Sequence, residues 1–156
     1  MTLYIDGDAC PVDVKEMVYR AGERVKVPVV VVANRPMRVP RSLLIRLQVV
    51  PAGLDVADTW IVGQVVPGDL VVTADIPLAA LLVEKGVLAI DPRGELYSSA
   101  SIGERLSMRN FMDTLRGAGL ATGGPKPLSQ RDRQQFAATF DRELTRLVAQ
   151  AHQKSQ

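Results

Sequence analysis

Cysteine and histidine are nearly absent from this chain of 156 residues, which contains one of each. The lone Cys10 excludes an intramolecular disulfide and any zinc site built from several cysteines. The lone histidine, His152, lies near the polar carboxyl terminus, which argues against a histidine-centred triad or a histidine-rich metal site. Any catalysis must therefore rely on carboxylates, hydroxyl groups, lysine or arginine.

Aromatic residues and long apolar runs are also scarce. Phe, Trp and Tyr make up 4% of the chain and hydrophobic residues 47%, so we expect a core built mainly from Val, Leu, Ile and Ala. No apolar run approaches the roughly 20 residues that cross a bilayer. The first residues also lack the basic, apolar and small-residue order of a signal peptide. We therefore expect one cytoplasmic domain without a membrane partner.

Charge is distributed unevenly along the chain, although its net value is only +2. Residues 24–54 contain six basic residues and no acidic ones, whereas residues 55–95 contain seven acidic and two basic ones. An acidic centre flanked by basic surface suits a metal-dependent enzyme that acts on a polyanion. The alternative is that these charges only form solvated faces, and the pattern by itself does not decide between the two.

Apolar strands alternate with amphipathic helices over most of the chain. Residues 3–5 form an apolar strand, and the next apolar positions recur at helical spacing: Val14, Met17, Val18 and Ala21. Residues 27–33 are a Val-rich run, typical of a strand buried on both faces. A strand over residues 70–73 precedes a helix over residues 78–85. This alternation predicts an α/β fold with a mainly parallel central sheet and helices on both faces.

The remaining patterns set the expected boundaries. We predict one domain over residues 1–150, with a core at 1–117, a Gly/Pro loop at 117–128, a C-terminal helix at 129–150 and a frayed tail at 151–156. Ser129 and Asp132 resemble a capping box at the start of that helix. Within the core we predict three short elements: a helix over 41–47, a strand over 48–51 and an edge strand over 95–97.

Aspartates follow two of the predicted strands. Asp6 and Asp8 are two residues apart, so continued strand geometry would point both to one side. Asp75 follows the strand over residues 70–73 in the same way, and the carboxyl ends of parallel strands share one edge of the sheet. Asp55 and Asp58 are three apart and lie near the start of an intervening helix. Taken singly, these residues could equally be helix caps or turn residues.

Converging carboxylates predict a cation site. Carboxylates that are held close together repel one another, so they need a cation or a shared proton. Mg²⁺ and Mn²⁺ prefer oxygen ligands of this kind. We therefore predict a Mg²⁺ or Mn²⁺ site whose ligands come from five residues: Asp6, Asp8, Asp55, Asp58 and Asp75.

Four stretches of the sequence resemble the uncharacterised YaiI/YqxD family: residues 6–11, 53–58, 68–79 and 123–126. Members of this family are similar to PIN-like nuclease domains, and that likeness implies a three-layer α/β/α sandwich. In PIN domains, acidic residues at the strand ends bind magnesium or manganese for phosphodiester hydrolysis. The resemblance therefore implies a metal-dependent nuclease.

The resemblance also implies roles for individual residues. By position, Asp6 matches the acid after the first strand and Asp75 the acid after the fourth. Asp58 or Asp55 would supply an acid from the intervening helix, and Asp8 is an addition to the PIN pattern. The implied catalytic set is Asp6, Asp8, Asp75 and Thr73, whose hydroxyl would orient a carboxylate or a water. RNA is the expected partner, with its phosphates contacted by Arg35, Arg38, Arg41 and Lys126.

Two other functions remain open at this point. A phosphatase of the haloacid-dehalogenase type would use Asp6 as nucleophile and Asp8 as general acid. That class needs a later lysine followed by a strand with an acidic pair, whereas Lys85 is followed only by Asp91. The second alternative is a non-catalytic RNA-binding or interaction module. Cys10 is expected to be a small buried residue and not a nucleophile.

Overall fold

A five-stranded sheet forms the centre of the protein in a computed structural model that describes residues 1–120 and 126–154. The strand order is β3-β2-β1-β4-β5, and each neighbouring pair is parallel. The predicted parallel sheet is therefore confirmed. The strands are β1 (Leu3–Asp6), β2 (Val29–Ala33), β3 (Ile45–Val49), β4 (Leu70–Val72) and β5 (Leu88–Ile90).

Helices cover both faces of this sheet. They are α1 (Val12–Val25), α2 (Val56–Gln64), α3 (Ile76–Lys85), α4 (Ile102–Gly117) and α5 (Gln130–Lys154). Among the described residues, no helix combines the length and apolar character that crossing a bilayer requires.

The alternation of side chains along the strands divides the core into two layers. Leu3 and Ile5 of β1 are fully buried on the face that α1 and α5 cover. Tyr4 points to the opposite face, where it packs with α2 and α3. Its ring makes an edge contact with the Trp60 ring, with 6.5 Å between centroids. Trp60 therefore packs against the core. Each fully buried apolar side chain contributes roughly 1.5–3 kcal/mol.

The long helix α5 is part of this core. Phe136 and Phe140 stack with 5.3 Å between ring centroids and belong to the same buried cluster as β1. The capping box predicted from Ser129 and Asp132 is confirmed. The Asp132 N–H donates to Ser129 Oγ over 3.1 Å, and the Ser129 N–H donates to Asp132 Oδ2 over 3.0 Å. Arg93 also donates to Asp132 over 2.6 Å, which ties the loop after β5 to the helix start.

Several predicted boundaries were wrong. Residues 41–47 do not form a helix, and strand β3 occupies 45–49 in place of 48–51, because pairing with β2 fixes an extended backbone there. Residues 95–97 make one isolated bridge, between Ile90 and Leu96, and no strand. Helix α5 continues to Lys154, beyond the predicted end at 150. Part of the Gly/Pro loop, residues 121–125, and the last two residues of the tail lie outside the described residues.

Candidate metal centre

The candidate site lies where the strand order reverses direction. The chain adds β2 and β3 on one side of β1 and then returns to place β4 and β5 on the other side. The connection after β1 leads to α1 on one face, and the connection after β4 leads to α3 on the opposite face. These diverging connections open a crevice beyond the carboxyl ends of β1 and β4, the usual binding position in open α/β sheets.

Three aspartates from three different elements meet in this crevice. Asp6 is the last residue of β1 and is 7% exposed. Asp75 is the N-cap of α3, where its Oδ1 accepts the Leu78 N–H over 3.0 Å. Asp58 lies in the first turn of α2. One carboxylate oxygen from each lies within 4.8 Å of the others.

Thr73 connects two members of this cluster. Its hydroxyl donates to Asp6 Oδ2 over 2.9 Å and accepts the Asp75 N–H over 3.0 Å. The Thr73 side chain is fully buried, and its bond to Asp6 is shielded from water. A hydroxyl that donates to Asp6 favours the ionised carboxylate, and the same hydroxyl fixes the backbone that carries Asp75. The Thr73 hydroxyl therefore contacts a carboxylate of the cluster, and its predicted catalytic role stays a prediction.

Tyr97 is a supporting residue that the sequence reasoning missed. Its hydroxyl donates to the Thr73 carbonyl over 3.0 Å, and its ring centroid lies 4.3 Å from the Arg105 guanidinium carbon. Arg105 in turn donates to Asp91 over 3.1 Å. These contacts hold the end of β4 in place. No motif marks Tyr97 in the sequence, because its role depends on a strand end that lies 24 residues earlier in the chain.

Repulsion and burial raise the proton affinity of the cluster. Burial raises the pKa of Asp58 to about 7, and the charges of Asp75 and Asp6 add to this effect. Burial also raises the pKa of Asp6, which the Thr73 hydrogen bond partly offsets. None of the ion pairs formed by residues 1–120 and 126–154 includes Asp6, Asp58 or Asp75. The cluster therefore carries negative charge that no lysine or arginine of the described chain neutralises at ion-pair distance.

Asp8 and Asp55, which the sequence also suggested as ligands, lie outside the three-carboxylate group. Strand β1 ends at Asp6, so the chain turns and the alternation that would align Asp8 with Asp6 stops. Asp8 is exposed, and its Oδ2 accepts the Asn34 N–H over 2.9 Å. Asp55 is the exposed N-cap of α2 with φ +61°, and its side chain makes no capping bond. Both still add negative charge near the cluster, Asp8 acting on Asp6 and Asp55 on Asp58.

The predicted phosphate-binding arginines are exposed but do not converge on the carboxylates. Arg35 follows Asn34, whose N–H bonds to Asp8, so it lies at the carboxyl edge of the sheet. Arg41 precedes Ser42, whose hydroxyl bonds to Glu23 in the last turns of α1. The β2–β3 loop therefore runs alongside α1, with Arg38 between its two ends. Within residues 1–120 and 126–154, none of these three arginines forms an ion pair with a carboxylate of the cluster.

Two other residues singled out in the sequence, Lys126 and Cys10, do not belong to the three-carboxylate group. Lys126 is exposed, and its carbonyl oxygen accepts a hydrogen bond from Arg93 in the turn after β5. Cys10 is buried, and burial raises the pKa of its thiol to about 12. The thiol is therefore protonated at neutral pH, which agrees with the interpretation of Cys10 as a small buried residue.

The raised pKa of Asp58 predicts that the metal-free protein loses stability as the pH rises. The folded state keeps this proton up to about pH 7, whereas the unfolded chain releases it near pH 4. The stabilising contribution is therefore complete below about pH 4 and lost through about pH 7. Asp58 is only half buried, so after discounting for solvent screening we expect a loss of about 1–2 kcal/mol. Urea unfolding in the presence of a chelator measures it.

Asp58→Asn supplies the matched comparison for this pH dependence. The asparagine is neutral at every pH, so the variant is expected to lose less stability than the wild type between about pH 5 and pH 8. Glu84→Gln, an exposed change on α3, should keep the wild-type profile. If the stability of Asp58→Asn changes with pH as that of the wild type does, Asp58 is not the group responsible for the pH dependence.

The fold and the cluster define a class: three-layer α/β proteins with a carboxylate group at the reversal point of a parallel sheet. A family profile described as "Uncharacterized BCR, YaiI/YqxD family" matches residues 4–146. The chain therefore belongs to the YaiI/YqxD family.

Two curated bacterial relatives support this assignment. A UPF0178 protein of Cronobacter sakazakii is 60% identical over 151 residues, covering 97% of this chain and all of the relative. The UPF0178 protein YaiI of Escherichia coli is 60% identical over 142 residues, covering 91% of this chain and 92% of the relative. The comparison with solved structures gives no significant match.

Proposed function

We propose that this protein is a metal-dependent nuclease that hydrolyses phosphodiester bonds, with RNA as its substrate in the cytoplasm. The observation that carries the proposal is the meeting of Asp6, Asp58 and Asp75 oxygens within 4.8 Å at the reversal point of the sheet. The resemblance of the family to PIN-like nuclease domains supports the same chemistry, as an analogy of fold and motif.

The geometry of the three carboxylates suits a small divalent cation. Two oxygens bound to one ion at about 2.1 Å each are at most about 4.2 Å apart. The carboxylate oxygens lie within 4.8 Å of one another, so each pair needs to approach by at most about 0.6 Å to reach that limit. Asp6, Asp58 and Asp75 would hold Mg²⁺ or Mn²⁺, and all their donor atoms are hard oxygens. The bound cation would act as a Lewis acid that activates water and stabilises charge on the phosphodiester.

The residues of the chain prepare the site for this ion. Thr73 holds the Asp6 carboxylate and the Asp75 backbone in fixed positions relative to each other. Binding of a cation would therefore cost little conformational entropy at these two residues. Asp58 shares a hydrogen bond with Asp75 and has a pKa of about 7, so it can exchange a proton near neutral pH. A cation would displace that proton, and we therefore expect metal affinity to increase with pH through about 7.

The phosphatase alternative is less compatible with this geometry. A haloacid-dehalogenase-type site needs a lysine beside the nucleophile. Lys85 lies at the end of α3, about 15 Å along the helix from its start at the carboxylates. Its ammonium donates to the Val62 carbonyl over 2.6 Å. The general acid of that mechanism, Asp8, is exposed and turned towards Asn34.

An RNA cleavage assay tests the proposal directly. Purified protein is incubated with end-labelled single-stranded RNA in Mg²⁺, in Mn²⁺ and in EDTA, with p-nitrophenyl phosphate assayed in parallel. We expect RNA cleavage with either cation and none in EDTA. RNA binding without cleavage in both cations would favour a non-catalytic module, and hydrolysis of the monoester alone would favour the phosphatase. Either outcome overturns the nuclease proposal.

Thr73→Val tests how the site is held together. Valine keeps a similar shape but removes both hydrogen bonds, so we expect Mn²⁺ affinity to decrease by about 10-fold. The unpaired Asp75 N–H should also cost about 1–3 kcal/mol of stability. Calorimetric titration at constant pH measures the affinity. Thr73→Ser keeps the hydroxyl and should bind as the wild type does, and equal losses in both variants would show that the hydroxyl is not what matters.

A further inference from the structure

A groove of about 500 Å³ lies between α1 and the β2–β3 loop. Its walls are mainly apolar, and its charged groups are Lys15, Glu16 and Arg38. Val12 at one wall is 62% exposed although it is a large apolar residue. The remaining apolar walls are formed by Tyr19, Met37, Val39 and Pro40. The groove thus combines a mainly apolar interior with a rim that carries two cations and one carboxylate.

This groove is adjacent to the candidate metal centre. A Cβ on Gly7, the residue between Asp6 and Asp8, would lie 3.6 Å from the Met37 sulfur. Met37 is also a wall of the groove, and Lys15 Nζ lies 3.6 Å from the same sulfur. The groove therefore begins one residue from a proposed metal ligand.

In the part of the chain that the structure describes, neither cation that lines the groove forms an ion pair, although the Glu16 carboxylate also lines it. Within residues 1–120 and 126–154, neither Lys15 nor Arg38 belongs to an ion pair, and the flanking Arg35 and Arg41 belong to none either. Eight arginines elsewhere do form ion pairs: Arg24, Arg93, Arg105, Arg109, Arg116, Arg133, Arg142 and Arg146. The positive charge beside the groove therefore remains available to an anionic ligand.

We propose that this groove seats an unpaired nucleotide of the strand whose phosphodiester lies at the carboxylate cluster. Its base packs against Val12, Met37 and Val39, and its phosphates lie near Lys15 and Arg38. Positive rims that follow the backbone, together with apolar surfaces for bases, are the general features of single-strand binding. A base that is paired in a duplex cannot enter such a groove, so the site selects single strands. The inference rests on the proposed function for the position of the strand.

Fluorescence anisotropy with labelled single-stranded RNA tests the groove. All proteins carry Asp6→Asn/Asp75→Asn and are studied in EDTA, so that no cleavage occurs. Adding Lys15→Gln/Arg38→Gln should weaken binding about 10-fold at about 100 mM salt and lower the salt slope by about 1.4. Arg131→Gln/Arg142→Gln makes the same charge change on α5 and should leave affinity within about 2-fold. Equal losses of RNA affinity in both pairs of variants would overturn the proposal. Binding of a duplex as tightly as the single strand would also overturn it.

A second pair of variants probes the groove without removing any cation. Val12→Glu adds a negative charge at an exposed wall in the first turn of α1, where acidic residues favour the helix. Val66→Glu makes the same change at a site with similar exposure, 57%, before β4. We expect the first variant to weaken RNA binding at least 5-fold more than the second. Equal affinities would contradict the proposal, even if the lysine and arginine variants failed to fold.

The two proposals fail separately in these experiments. If the groove variants lose RNA affinity but wild-type protein cleaves no RNA with either cation, the nuclease proposal fails and the binding groove stands. If wild-type protein cleaves RNA but the groove variants bind as tightly as their controls, the groove fails and the nuclease proposal stands.

Discussion

Replacing Asp6 and Asp75 together by asparagine is expected to lower the rate of RNA hydrolysis by about 1000-fold or more. The two carboxylates lie at the ends of neighbouring strands and share Thr73 as a link. An amide keeps the shape and the hydrogen-bonding oxygen but removes the charge that would hold the cation. The initial rate of cleavage in saturating Mn²⁺ measures the effect.

The control for this variant is Asp13→Asn/Asp141→Asn. It removes the same charge from two exposed residues, whose partners are Arg133 and Arg24 in surface ion pairs. Such pairs are worth at most about 1 kcal/mol, so hydrolysis should stay near the wild-type rate. The site variant should also keep its affinity for RNA, because the groove and the loop arginines are unchanged. Hydrolysis that persists in the site variant would place catalysis elsewhere.

The affinity for Mn²⁺ is expected to separate the five sequence-predicted aspartates into two groups. Single replacements by asparagine at Asp6, Asp58 or Asp75 should weaken binding by about 100-fold, because each would remove one of the three proposed ligands. Asp8→Asn and Asp55→Asn should weaken it by no more than about 5-fold, since both residues are exposed and act only through their charge. Calorimetric titration of each protein at one pH measures the series.

The decisive result of that series is the difference in Mn²⁺ affinity between the two groups of variants. A general loss of negative charge would weaken binding to a similar extent in all five variants. A loss at Asp8 as large as at Asp6 would mean that the turn after β1 brings Asp8 into the coordination sphere, contrary to the geometry of Asp8 and Asn34.

The convergence of Asp6 and Asp75 could be predicted from the sequence because it depends on topology alone. Each follows a buried apolar strand, and parallel strands present their carboxyl ends at one edge. β1 and β4 are direct neighbours in the sheet, so the two residues meet. The choice between Asp8 and Asp58 could not be made in this way. It depends on where β1 ends and on how α2 packs against the sheet, which period-2 spacing does not specify.

The region from residue 41 to residue 49 shows how tertiary contacts override local spacing. The leucines at 43, 44 and 47 have the three- and four-residue spacing of a helix, yet residues 45–49 form strand β3. Residues 45–49 also alternate apolar and polar side chains, as an edge strand does. Five residue pairs join β3 to β2, from Val29–Ile45 to Ala33–Val49, and this pairing determines the outcome. The same pairing draws the β2–β3 loop along α1 and separates Arg41 from the site.

Anomalous X-ray scattering from crystals grown with Mn²⁺ tests whether the three aspartates bind a cation. Data collected at the manganese absorption edge locate the ion without reference to activity. We expect a peak between the carboxylates of Asp6, Asp58 and Asp75, with metal–oxygen distances of about 2.2 Å. A peak bound by other residues, or no peak at these three carboxylates at saturating Mn²⁺, would contradict this expectation.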